Sequence, residues 1–260
     1  MGRHKIEELI ENLKKYDDTI IVLGKDVVEK ENKIFKVDEE SAKIFNRKTL
    51  YRKPKLYWQF YFNYVYNNNR VYTNEEKAVS KLINTIGKDK VKIINDTTLD
   101  SYKDYKELVK LDLSGNVNEL TCVSGRHTLS SDKMVDYLIE HNFKCPVCNS
   151  IYKPTVLMYN EKYDPLKLAI LENMISREEN GIRIPNTHNL IFIGADFDSD
   201  IIHDIVISFK ALSVIHEKED EKFFVTMILD HDPVNIDRYE PDFATSDSIS
   251  ESIDRLVELF

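Results

Sequence analysis

Cysteine is scarce in this chain: three among 260 residues, an odd count, with two of them in a single C-x-x-C. That excludes a disulfide scaffold and favours a reducing compartment where thiolates bind metal or do redox chemistry, so the expected location is the cytoplasm. Long hydrophobic runs are missing as well. No apolar stretch approaches the roughly 20 residues that span a bilayer, and the opening Met1-Gly-Arg-His-Lys-Ile-Glu7 has no secretory h-region. Gly2 is not followed by the Ser or Thr of a myristoylation signal, so no membrane association is expected. Positive charge is in deficit: 36 Lys and Arg against 45 Asp and Glu leave a net −9 and a pI near 5.4. Phosphate neutralisation needs clustered cations, so a chain of this balance is expected not to grip nucleic acid. Internal repeats are absent, and the polar patches at 67–69 and 196–204 are too short to be low-complexity tracts.

What is present is enough apolar material, 42% of the chain, for a sizeable core in one large domain or two unequal ones. Residues 5–16 repeat Ile6, Leu9, Ile10 and Leu13 at helical spacing, and 19–24 reads as a buried strand closed by Gly24. Further β-rich runs occupy 90–94, 189–194 and 223–229, with helical patterns at 75–86, 165–175 and 248–259. Strands alternating with helices predict an α/β fold with a mainly parallel sheet covered on both faces. Two stretches break the alternation: an aromatic-rich, mixed-charge segment at 36–69 and an irregular one at 122–148. They are expected to form a smaller second lobe. The aromatic stripe from Tyr57 to Tyr66 fits core packing better than a ligand cage.

Cys145-Pro-Val-Cys148 is the strongest chemical signal, because two thiolates two residues apart chelate one metal from a tight turn. A structural zinc needs two more ligands, and Cys122 supplies one. Where a four-cysteine ribbon would place its partner, three residues on, stands Gly125. His127 and His141 are the nitrogen alternatives, neither at ribbon spacing; the bland reading is a metal-free pair of reduced thiols. Asp196, Asp198, Asp200 and Asp204 around His203 read as a solvated loop and helix start, capped by Asp198 or Ser199, rather than as a cation site. His188, like the other lone histidines, reads as a surface or packed residue. Gly24-Lys25 has no glycine four residues upstream and so is not a P-loop.

Cys122 and the C-x-x-C, followed by Lys153-Pro-Thr-Val-Leu-Met-Tyr-Asn-Glu161, resemble the zinc ribbon and adjoining R-P-x-V-V-x-F-G-E strand of the sirtuin family. Other segments fall in sirtuin order. Gly24 stands where the family has G-A-G-x-S, and residues 51–61 resemble the aromatic helix of the cofactor-covering segment. Lys92-Ile-Ile-Asn-Asp96 takes the place of T-Q-N-x-D, Leu113-Ser-Gly-Asn116 that of L-H-G-S, and residues 189–196 resemble the strand and G-T-S turn. Residues 243–259 resemble the closing strand and helix. The resemblance covers nearly the whole chain and implies a Rossmann-like large domain (1–34, 85–113 and 155–260) with a small lobe made of a helical insertion (35–84) and a ribbon (114–154).

For the chemistry, the resemblance implies a loss. Ser114 occupies the position of the family's general-base histidine, and a serine hydroxyl does not titrate near neutral pH. In the glycine loop the second glycine is Asp26 and the serine is Val28; in the later turn the serine is Asp196. Side chains there block backbone approach to a diphosphate, and two carboxylates disfavour it electrostatically. The positions matching the family's cofactor site, in vestigial form, are thus Gly24, Asp26, Asn95, Asp96, Gly194 and Asp196. The positions matching its peptide-pairing strand are Val156, Tyr159, Asn160 and Glu161, which would hold an extended peptide through main-chain hydrogen bonds. Three functions are weighed: a pseudoenzyme holding a protein, peptide or small ligand; an NAD-consuming deacylase, ADP-ribosyltransferase or NAD hydrolase with another base; and an unrelated α/β protein with a thiolate zinc or redox site. A homo-oligomer is compatible with each.

Overall fold

A computed structural model of the chain describes every residue except 1–2, 30–31, 33–37, 67–69, 101–102, 126, 131–133, 160, 198, 219–220 and 231–238. The amphipathic opening forms α1 (Arg3–Lys15), which buries Leu9, Ile10 and Leu13. β1 (Thr19–Leu23) follows, buried at all five positions, and then the single turn α2 (Asp26–Glu29). Asp38 caps α3 (Glu39–Ala42) by accepting the Ser41 N–H at 2.7 Å, and Asn46 caps α4 (Arg47–Arg52) by accepting that of Thr49 at 2.9 Å. Pro54 opens α5 (Pro54–Phe60), where a first-turn N–H would be unpaired in any case, and the helix runs into a π-helical turn, Tyr61–Val65. Tyr57, Trp58 and Tyr61 are buried among Phe45, Phe62 and Phe143, so the stripe is core on that side, while Tyr64 is 55% exposed.

A reciprocal capping box between Thr73 and Glu76 starts α6 (Asn74–Ile86). Next come β2 (Val91–Asn95) and β3 (Val109–Asp112), then a ribbon of β4 (Glu119–Cys122), β5 (Thr128–Ser130), α7 (Met134–Glu140) and β6 (Tyr152–Pro154), in which β4 pairs antiparallel with both neighbours. Asp164 caps α8 (Pro165–Ile175), and a hairpin of β7 (Ser176–Glu179) and β8 (Ile182–Pro185) leads into β9 (Asn189–Ile193). The chain closes with α9 (Asp200–His216), β10 (Phe224–Ile228), β11 (Phe243–Thr245) and α10 (Ile249–Glu258), the last packed on α6.

Six strands make one parallel sheet in the order β11-β10-β9-β1-β2-β3. Alternate residues of β1 face opposite cores: Ile21 and Leu23 join α1, α6, α10 and the small lobe, whereas Ile20 and Val22 join α8 and α9. Both faces are therefore covered, as the continuous apolar runs require. The strand order reverses beside β1: β2 and β3 build to one side of it, and β9, β10 and β11 to the other. Such a switch point opens a crevice at the carboxyl ends of the strands, here of β1 and β9. One expected element is absent among the described residues: after Pro154 the ladder stops, and residues 155–159 and 161 form bends, turns and irregular backbone instead of the strand expected through 156–161. Its cause is local. Glu161 Oε2 accepts the Met158 N–H at 3.2 Å, and the Met158 carbonyl accepts the Glu161 N–H at 2.9 Å, closing a turn.

Candidate functional site

The switch-point crevice gathers residues from four strand ends. Gly24, directly after β1, donates its N–H to the Ile193 carbonyl at 2.9 Å, and a Cβ there would lie 2.2 Å from the Gly194 carbonyl oxygen. Gly194 has φ +60, and a Cβ on it would meet the Val27 nitrogen at 2.9 Å. These glycines hold β1 and β9 ends in backbone contact. The N–H groups of the turn are already committed: Asp26 donates to Gly194 at 3.2 Å, Val27 to Gly24 at 3.3 Å and Val28 to Lys25 at 3.0 Å. Lys25 crosses the crevice to an ion pair with Asp196, which with Asp26 and Glu29 raises the lysine pKa against the opposing effect of burial.

Asp96, after β2, accepts a hydrogen bond from the Ser114 hydroxyl, after β3. Burial pushes the Asp96 carboxyl up to about 6; nearby Asp196 adds to the rise, while Ser114, Lys167 and Lys25 oppose it. Tyr163 lies beside Ser114 and Ser199, and its pKa is raised by burial and by Asp96 while the two hydroxyls oppose the rise. Asn95 faces inward: it donates to the Leu99 carbonyl at 3.0 Å and to Asp112 at 2.7 Å, and accepts from Thr97. Gly115 (φ +85) leaves no room for a Cβ, which would lie 2.2 Å from the Thr155 carbonyl oxygen; this pins the end of β3 to the segment after β6.

The ribbon resolves the fourth metal ligand. Cys122, His127, Cys145 and Cys148 bring their ligand atoms within 4.8 Å of one another. His127 Nδ1 lies 3.5 Å from the sulfurs of both Cys122 and Cys145. Ligands about 2.3 Å (sulfur) and 2.0 Å (nitrogen) from a tetrahedral zinc are separated by about 3.5 Å, the spacing His127 keeps to Cys122 and Cys145, so three thiolates and one imidazole are compatible with that ion. Gly125, at φ +70, turns the chain so that the His127 carbonyl meets the Cys122 N–H at 2.9 Å, which delivers the imidazole. His141 stays on α7's end against Tyr137, with ring centroids 4.4 Å apart. Among the described residues, no other group of three or more His, Cys, Asp or Glu side chains forms a metal-holding cluster, Asp196, Asp200, His203 and Asp204 included; Asp198 lies outside the described residues.

A model of the Sir2 family matches residues 30–185, more than half of the chain. The chain belongs to the Sir2 family. No curated protein matches it in sequence, but solved structures match over nearly its whole length. One described as a Sir2–p53 peptide–NAD+ complex is 14% identical, with 97% of each chain covered and a TM-score of 0.69. Sir2Tm bound to a propionylated peptide is 15% identical, with 98% of each chain covered and a TM-score of 0.68. A structure concerned with sirtuin substrate affinity is 14% identical, with 99% of each chain covered and a TM-score of 0.70.

Beside the crevice this Sir2-family chain has a cleft of about 850 Å³, floored by Glu119 and Thr121 of β4 and Lys153 and Thr155, and walled by Leu157, Tyr159 and the start of α8. Lys153 pairs with Glu161 at 2.5 Å, Val156 and Met158 are buried, and Tyr159 is 50% exposed while donating its N–H to the Phe45 carbonyl at 3.2 Å. Asn160 lies outside the described residues. Tyr163 and Lys167 were not singled out from sequence. Lys167 Nζ donates to the Asp112 carbonyl at 2.5 Å, joining α8 to β3, and only the fold reveals that contact. Among the described residues no helix is long and apolar enough to cross a membrane.

Proposed function

We propose that this chain is a sirtuin-like pseudoenzyme, with a crevice that no longer performs NAD chemistry and a neighbouring cleft that holds a protein or peptide partner. The single observation that carries the reading is the pairing of Ser114 with Asp96, where catalysis would need a base that titrates at the ribose. The hydroxyl is a donor to a carboxylate there, and neither it nor its partner is an imidazole. The diphosphate site is equally unsuited. The N–H groups of Asp26, Val27 and Val28 after β1 are bonded within the protein, and Asp196 presents a carboxylate whose charge Lys25 already answers. The retained feature is the cleft wall at Leu157 and Tyr159, and solved relatives are described with acetylated and propionylated peptides bound. The three-cysteine, one-histidine set would hold a structural zinc, keeping the ribbon folded with no open coordination position. Calorimetry with NAD and a nicotinamide-release assay with acyl-lysine peptides test the reading: neither heat nor release is expected, and turnover above the blank overturns it.

One observation favours a second reading, an NAD-consuming enzyme. A carboxyl at about 6 is a proton acceptor poised for work near neutral pH, and Asp96 holds it at the switch point. Under that reading nicotinamide release rises as pH passes upward through 6, because the base must be deprotonated. Asp96→Asn abolishes it, and Ser114→Ala leaves a measurable fraction.

A further inference from the structure

We infer that the helical insertion is a binding surface for single-stranded nucleic acid. Between Ser41 and Asn74 the sequence has seven cations, Lys43, Arg47, Lys48, Arg52, Lys53, Lys55 and Arg70, and no Asp or Glu. The chain's total of −9 therefore conceals a stretch, residues 41–74, at +7 and a remainder at −16. In the fold, Arg70 is neutralised by Glu76. The other six are exposed along α4, α5 and the residues that flank α4, and among the described residues none of them makes an ion pair. Lys48 and Arg52 stand four apart on one helical face, a like-charge spacing that weakens a helix unless an external anion occupies it. Exposed cations outside the insertion include paired ones, as in Lys81–Asp254 at 2.6 Å and Arg255–Asp247 at 3.0 Å, whereas all six in this short stretch are left to solvent.

Aromatic rings interleave with these charges. Tyr51, between Lys48 and Arg52 on α4, is 45% exposed. The Phe45 carbonyl at the foot of α4 accepts the Tyr159 N–H, so α4 adjoins the 850 Å³ cleft, where Arg47 shares the wall with the half-exposed Tyr159 and with Lys162, another exposed lysine without an ion pair among the described residues. Cations spaced along a path with exposed rings between them suit a polyanion with unstacked bases: backbone phosphates take the cations and bases stack on tyrosine faces. A duplex hides those faces of its bases, and an anionic bilayer offers no ring for Tyr51 and Tyr159 to stack on. Charge sets the affinity and stacking selects the single strand.

The test uses the full chain with fluorescein-labelled mixed-sequence DNA and RNA 20-mers, read by anisotropy between about 50 and 200 mM salt. Single strands are expected to bind, with a log–log salt slope that falls by about 0.7 for each phosphate contact removed. Arg47→Glu/Lys48→Glu/Arg52→Glu should weaken binding at least tenfold and flatten that slope. Tyr51→Ala should weaken it several-fold while leaving the slope unchanged. Lys222→Glu, an exposed charge change outside the insertion, should do neither. All substituted side chains are exposed, so unchanged thermal melting keeps the comparison valid. Three outcomes overturn the inference: no binding at the lowest salt, equal loss with Lys222→Glu, or capture by phosphatidylserine vesicles with none by oligonucleotides, which would assign the lobe to a membrane.

Discussion

At Gly24 and Gly194 the constraint is steric and sits between two backbones, so no rotamer change relieves it. Gly24→Ala places a methyl 2.2 Å from a carbonyl oxygen of β9's end, and the strands must part. We expect a loss of about 3 kcal/mol, the upper range for overpacking, measured as a lower urea midpoint. Gly125→Ala is the contrast: Gly125 has a positive φ, which Gly24 does not, but nothing lies within 4 Å, so only the left-handed backbone penalty of about 1 kcal/mol applies. The zinc site yields a second expectation. His127→Ala should reduce bound zinc well below that of the parent protein, while His141→Ala should leave it unchanged, as measured by metal analysis after dialysis. Sequence gave the three cysteines directly, because C-x-x-C has a fixed chelating geometry. It left His127 level with His141, because a tight turn at Gly125 does the work that ribbon spacing does in a four-cysteine site. Ser114 and Asp196 were legible as departures; their bonds to Asp96 and Lys25 were not, since those pairs are 18 and 171 residues apart.

Elements were legible where one periodicity dominated. The run at 19–24 became β1, and 75–86 became α6 to within a residue. α9 was not marked out, because its sequence is apolar on nearly every side and carries no helical stripe, and the β7–β8 hairpin interrupts the helix–strand alternation with charged residues. The cap of α6 is testable on its own. Thr73 Oγ1 accepts the Glu76 N–H at 3.0 Å and donates to the Val27 carbonyl at 2.6 Å, so Thr73→Ala should cost about 2 kcal/mol, the upper range for a cap. At the amino-terminal end of β9 His188 ties three elements together. Its ring lies between Tyr16 and Phe223, at 3.6 and 5.0 Å, and its nitrogens reach Asp18 at 2.9 Å and Glu221 at 3.2 Å. Burial disfavours the imidazolium, but Asp18 and Glu221 outweigh it and the pKa is raised. A raised histidine pKa contributes stability that is complete below the ordinary value near 6.5 and is lost as pH climbs through the folded value. The melting temperature should therefore fall across that window, and His188→Gln should remove most of the slope.

For the whole molecule the question is whether the metal-bearing lobe and the sheet stand or fall together. One apolar cluster runs without a break from Ile21 and Leu23 of β1 through Val79 and Leu82 of α6 to Trp58, Tyr61, Leu120, Leu138 and Tyr152 of the small lobe. The cluster on the other sheet face, around Val22, Phe192, Ile202 and Phe209, contains no residue of the ribbon. Loss of zinc should thus loosen the first core at its far end and leave the second intact. The chain's sole tryptophan is placed to report this. Trp58 is 1% exposed and stacks on Phe143, with centroids 6.2 Å apart, two residues before the ligand Cys145. Freeing Cys145 removes the tether that holds Phe143, and the indole gains water. Chelation of the zinc-loaded protein should shift Trp58 emission to the red and diminish the near-ultraviolet dichroism of the aromatic nest. The far-ultraviolet signal should persist in large part, because α8 and α9 pack on the sheet face whose core contains no ribbon residue, and the sheet's ladder contains no ribbon strand. Emission that stays blue after the metal has left would mean that hydrophobic packing alone holds the ribbon, and that zinc has no structural role in this member of the Sir2 family.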